Sequence, residues 1–228
     1  MFKKRINFKS LIAVKIAQSA IIKENMSKNV DIKRAKILEV AKRRFAHFGM
    51  AKTTMAEIAK DLSFSKALLY YYFPDKHSLY TAVMEYVINE MVYKVDRYLE
   101  KTKSVEKAIM FAIESRMGIL KENYNLFEYS TSLFVQNPGE LSKNLGPFFG
   151  KIKDQFARIL KIGVDKGELQ IENLHETAEL LLFALVGMRT GMLGKDTNDC
   201  LFPSHEEFDK ILVQQKKMVA IFLRGLRP

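Results

Sequence analysis

The 228-residue chain is 48% hydrophobic, carries a formal net charge of +11 and contains a single cysteine. Its length supports one large or two modest domains with a real core. The lone Cys200 excludes a disulfide framework or a cysteine zinc site, and His47, His77, His175 and His205 lack the close pairing of metal-binding helices.

The longest uninterrupted apolar run, residues 180–188, is well short of the ~20 residues a membrane helix needs. No membrane partner and a cytoplasmic location are therefore expected. No glycine-rich phosphate loop or nucleophile motif marks an enzyme, so neither catalytic residues nor a cofactor are expected. The charge is uneven along the chain: residues 1–27 carry six Lys/Arg against one acid, residues 28–76 eleven against five, and residues 77–228 twenty of each. The whole positive excess sits in the first third, which points that third toward a phosphate-bearing partner.

The opening MFKKRINFKSLIAVKIAQSAII has a basic start, but Lys9 and Lys15 interrupt its apolar part and no cleavage site follows. Residues 1–27 are read as a basic extension. It is either a loose preamble to a chain that starts at Met26 or an arm suited to the minor groove.

Strand signals are weak and apolar residues recur at helical spacing, so an all-α protein is expected. A first helix is predicted over 31–48, with Ile37, Ala41, Phe45 and Phe48 inward, Lys36 and Arg43 outward, and Gly49 as its terminator. In TTMAEIAKDL, Thr54 stands three residues before Glu57, the spacing of a capping box, and opens a short second helix. Ser65 caps a short third helix that runs through Phe73 and stops at Pro74. In that helix, SKALLYYYF puts three tyrosines in succession, and neighbours on a helix are turned by about 100°. With Leu69 and Phe73 facing the core, Tyr72 falls at its border and Tyr71 points away with Ala67 and Leu68. Two short helices joined by a tight turn behind a longer one have the dimensions of a helix-turn-helix, which gives the outward tyrosine a task.

Residues 37–83, ILEVAKRRFAHFGMAKTTMAEIAKDLSFSKALLYYYFPDKHSLYTAV, resemble the DNA-binding domain of the tetracycline-repressor (TetR) family of bacterial regulators. The resemblance rests on Phe45, Gly49, Thr54, Ile58 and Ala59, and on the ungapped run Ser65, Lys66, Leu69, Tyr70, Phe73, Lys76 and Leu79. It implies an Ω-shaped all-helical homodimer with a DNA-binding head over 28–76 and a ligand-binding and dimerisation body over 77–228. The implied partner is double-stranded DNA bearing a palindromic operator, and the implied function is a transcriptional regulator, a repressor released by a small-molecule effector. An architectural DNA-binding protein without an effector is the alternative.

Base reading would fall to Lys66, Ala67, Leu68 and Tyr71, and phosphate contacts to Tyr70, Tyr71, Lys76 and the helix start at Thr54. A plain surface role remains open for Lys66. Three positions depart from the pattern: Ser63 replaces the turn glycine, Leu68 a threonine and Ala67 a glycine. Leu68 would meet a thymine methyl rather than donate a hydrogen bond.

A long helix over 77–101, opened by Asp75 and burying Leu79, Val83, Val87, Met91 and Val95 or Leu99, links the two domains. Further helices are predicted near 104–121, 123–135, 141–166 and 173–193, with QNPGE as a break and Gly167 and Gly194 as terminators. A last helix opens with a capping box at Ser204 and Glu207. Phe111, Tyr124, Phe127, Phe134, Phe149, Phe156 and Met188 supply either packed core or the lining of a cavity for a hydrophobic or amphipathic effector. Arg116 and Arg189 would hold an anionic group or serve salt bridges.

The segment ETAELLLFALVGMRTGML is apolar nearly all round, so more than one face is covered. Ala184, Gly187 and Gly191 form its narrow side, and Ile211, Gln215, Met218 and Phe222 on the last helix complete the dimer interface that the family resemblance implies.

Overall fold

The computed structural model describes residues 31–127, 138–193 and 205–228, with side chains from 146 onward in the second stretch. The basic extension, Phe134, Gly194 and Ser204 lie outside the described residues.

The described residues form helices and connecting turns. They comprise α1 (31–52, interrupted by the left-handed Gly49, so that its main run ends there), α2 (Met55–Asp61), α3 (Lys66–Tyr72), α4 (Lys76–Leu99), α5 (Val105–Glu122), the segment α6 (124–127), α7 (Pro138–Asp165), α8 (Leu174–Leu193) and α9 (His205–Gly225). α7 starts three residues earlier than the composition of QNPGE predicts. Its first residue is Pro138, a position where proline needs no intrahelical donor and its fixed φ already suits a helix.

Caps set the boundaries in the head. The Thr54 hydroxyl accepts from the Glu57 backbone at 3.3 Å while the Thr54 backbone donates to the Glu57 carboxylate at 2.9 Å, so two orphan donors are satisfied at once. Ser65 accepts from Leu68 N, and Asp75 exchanges bonds with Ser78 at the start of α4. At the end of α2, Phe64 N donates to Ala59 O and Ser63 N to Lys60 O, a Schellman turn that holds Ser63 at φ 54. Gly49 at φ 77 and Gly167 at φ 69 take the same left-handed region.

In the head, α1 buries Ile37, Leu38, Ala41 and Phe45, against which α2 places Ile58 and Ala59 and α3 places Leu69. Phe48 departs from the predicted inner face and is 48% exposed. It overlooks an open cleft of about 370 Å³ shared with Val40, Arg43, Arg44 and Asp61, with the Arg44 guanidinium over its ring.

α4 carries its buried stripe, Leu79, Tyr80, Val83, Met84, Val87, Ile88, Met91 and Val95, from the head into the body. There it packs on α5 and α7, with α8 on α7 and α9 on α5 and α8. Head and body are also joined by polar contacts. Asn125 Nδ2 donates to the carbonyls of Ala46 and His47, both at 3.0 Å, and within the body Tyr80 donates to the neighbouring Leu126 O at 2.7 Å.

Candidate functional site

α3 presents its outer face as a consequence of what its inner face must do. Leu69 and Phe73 are buried and fix the rotation of the helix, so Lys66, Ala67, Tyr70 and Tyr71 project outward. Tyr71 is 76% exposed and Tyr70 48%. Tyr72 is half-buried, and its ring meets that of Tyr71 edge-on at 5.3 Å. Leu68 is half-buried, whereas Ala67 beside it is exposed. The free elements of this face are an ammonium, two phenols and a small apolar patch. That set can hydrogen-bond to base edges and phosphates in a major groove and can meet a thymine methyl.

Lys76 stands elsewhere than on a free surface. Its ammonium donates to Met50 O at 2.9 Å and Thr53 O at 3.0 Å, so two of its three donors tie the start of α4 to the end of α1. Thr53 is buried and donates to Gly49 O at 2.9 Å. Sequence reasoning did not single out Thr53, Met50 or Asn125. A threonine before a capping threonine is a faint signal, and an asparagine that caps a helix far away in sequence leaves none.

Arg44 forks onto Asp61 at 2.6 and 2.9 Å and approaches Glu57 at 3.5 Å, bracing α1 on α2. The Arg44 hydrogen bonds hold the Asp61 carboxyl below the usual range. Bonds from the Thr54 side chain and backbone lower Glu57, and the Ser78 backbone lowers Asp75. Thr54 is exposed, but its backbone N–H is already committed to Glu57.

In the body, a cavity of about 20 Å³ is lined by Ile113, Arg116, Met117 and Leu120 from α5, Leu185, Val186 and Arg189 from α8, and Gln215 from α9. Of the expected lining residues, Arg116 and Arg189 are the two it brings together. Phe156 is buried beneath the Arg116 guanidinium, 5.4 Å from its ring centroid. Tyr124 meets Phe208 edge-on, and Phe111 stacks on Tyr98 at 4.0 Å. Phe127 and Met188 are half-buried. Phe149 is 43% exposed on α7 and is not among the residues that line this cavity. Among the described residues, no group of three or more His, Cys, Asp or Glu is placed to hold a metal ion, and no helix is long and apolar enough to cross a membrane.

Residues 37–83 match the family described as bacterial regulatory proteins, tetR family. A transcriptional regulator of known crystal structure from Cytophaga hutchinsonii is 30% identical, and the likeness covers 84% of this chain and 97% of that one with a TM-score of 0.72. The chain belongs to the TetR family.

Two further likenesses differ in reach. The HTH-type transcriptional regulator QacR of Staphylococcus aureus is 25% identical over 196 residues, 84% of this chain and 96% of that protein. The nucleoid occlusion factor SlmA of Aliivibrio fischeri is 29% identical over 115 residues, 50% of this chain and 58% of SlmA, so the match spans less than two thirds of that relative.

Within this TetR-family body, the outer sides of α8 and α9 remain uncovered in the single subunit. Leu180 and Phe183 are 61% and 66% exposed, and Ala184, Gly187 and Gly191 are exposed alongside them. A side chain added at Gly187 or Gly191 would meet open space within the subunit. On α9 the exposed apolar residues are Val213 and Ile221, with Met218 and Phe222 half-buried. Ile211 and Gln215, expected on the dimer-facing side, are both buried inside the subunit. Ile211 clusters with Met117 and Phe208, and Gln215 Nε2 donates to Leu185 O at 2.8 Å.

Proposed function

We propose that the protein is a homodimeric DNA-binding transcription regulator that reads a palindromic operator with the outer face of α3 and is released by a small hydrophobic or amphipathic effector bound in the body. The observation that carries this reading is the outward set Lys66, Ala67, Tyr70 and Tyr71 on a head whose residues 28–76 carry eleven Lys/Arg against five acids. A second copy seated on Leu180, Phe183, Ala184 and Gly187 would place two such heads on opposite half-sites. α4 begins at the head and ends in the body, and Asn125 grips the end of α1, so a displacement in the body has two routes to the head.

Selection of bound fragments from random DNA tests the reading, with salt titration of the selected site. A palindromic consensus is expected, with log affinity falling against log salt at about −0.9 per neutralised phosphate. Tyr70→Phe is expected to weaken all sequences alike, whereas Lys66→Ala changes the preferred base.

The likeness to SlmA favours a second reading, a DNA-binding accessory factor without an effector. An operator affinity that no body-stabilising compound alters would select it.

A further inference from the structure

Several arginines on the surface of this protein are paired with acids, whereas two that line one small space in the body are not. Arg44, Arg97 and Arg158 meet Asp61, Glu100 and Asp96 at 2.6 to 3.0 Å, although water already solvates them. In the cavity between α5, α8 and α9 the order is reversed: Arg116 and Arg189 line one small space, and none of the described residues lining it is acidic. Arg116 Nη1 is sealed from solvent and has no hydrogen-bond partner. Its guanidinium carbon lies 5.4 Å from the centroid of the Phe156 ring, a contact that gives the Nη1 group no hydrogen-bond acceptor. Gln215 cannot neutralise the pair, because its amide is neutral and its Nε2 is committed to Leu185 O. Burial first, then the neighbouring Arg189, push the Arg116 guanidinium down to about 9, and burial lowers Arg189 as well. Selection for stability alone would replace such a pair with apolar residues.

We propose that Arg116 and Arg189 form the anion subsite of the body, so that its ligand is an organic anion with a carboxylate or phosphate head and an aliphatic chain. The head takes in-plane hydrogen bonds from the guanidinium groups, the geometry that arginine offers to planar oxyanions. The chain runs against Ile113, Met117, Leu120, Leu185 and Val186, which are aliphatic or flexible. About 20 Å³ holds roughly one water, so a chain behind the head enters only by parting α5 from α8. The effect of that parting on DNA rests on the ligand-released reading, whereas the binding itself does not.

Thermal shift and calorimetric titration with octanoate, octyl phosphate, octanamide and octyltrimethylammonium at constant ionic strength test the subsite, using the full-length protein, Arg116→Met and Arg189→Met. At least one of the two anions is expected to bind tenfold or more tighter than the amide, and the cation is expected not to bind. Each variant loses that preference for the anion while keeping its affinity for the amide, and ligand-free Arg116→Met melts about 2–4 °C higher because a sealed, unpaired charge is gone. Equal binding of anion and amide, or an anion preference retained in both variants, overturns the proposal, as does the absence of anion binding at millimolar concentration. The operator readout is separate. Arginine-dependent anion binding that leaves operator affinity unchanged upholds the subsite and removes the ligand-released reading, and release by the amide or the cation alone does the reverse.

Discussion

Two helices of this protein end in the same hydrogen-bonded turn with different residues at the critical position. After α7, Glu168 N donates to Gly163 O, Gly167 N donates to Val164 O, and Gly167 takes φ 69. After α2 the same two bonds form around Ser63 at φ 54, where a Cβ crowds the following carbonyl. Ser63→Gly is therefore expected to stabilise the protein by about 0.5–1 kcal/mol, the relieved crowding outweighing glycine's larger entropy loss on folding. Urea denaturation checks this, and an unchanged or lowered midpoint would refute it. That turn is legible in the sequence because local chemistry decides it. Phe48 and Gln215 are not, because their burial depends on where a neighbouring helix ends or lies.

At the scale of helices, the head is held at its joints by carboxylates. Glu57 and Asp75 complete caps of α2 and α4, and Asp61 receives the Arg44 fork that braces α1 on α2. All three have folded-state values below their usual ranges. A depressed carboxyl contributes stability that is present above its unfolded value and lost as pH falls through the folded one. Stability should therefore decline as pH falls below about 4. Arg44→Met should lower the melting temperature at pH 7, and its gap to the unaltered protein should close as the pH falls through that window. A gap that stays constant with pH would show that Arg44 acts through packing alone.

These joints were readable as caps, since Thr54, Ser65 and Asp75 announce themselves by spacing. The division of α9 was not. Its apolar residues occupy more than half of its circumference, and only the observed positions of α5 and α8 separate Ile211 and Gln215, turned inward, from Val213 and Ile221, left outside.

For the whole molecule, the uncovered side of α8 and α9 sets the expected assembly. Phe183→Glu, which alters no buried contact of the subunit, is expected to convert dimers into folded monomers and to abolish tight operator binding while leaving weak non-specific binding. Analytical ultracentrifugation with circular dichroism checks both parts, and dimers of unchanged affinity would point to another interface.

The buried stripe of α4 has a further consequence. One contiguous apolar cluster runs from Ile37 in α1 through Leu79, Val87 and Val95 to Leu223 in α9. The boundary near residue 76, drawn from charge and motif, is thus no boundary in the core. A chain whose two functional parts share one uninterrupted 24-residue helix and one core should melt as a single calorimetric unit, with equal van't Hoff and measured enthalpies per folded assembly. An occupant that tightens the body would then slow amide exchange in α2 and α3 as well, although it touches neither.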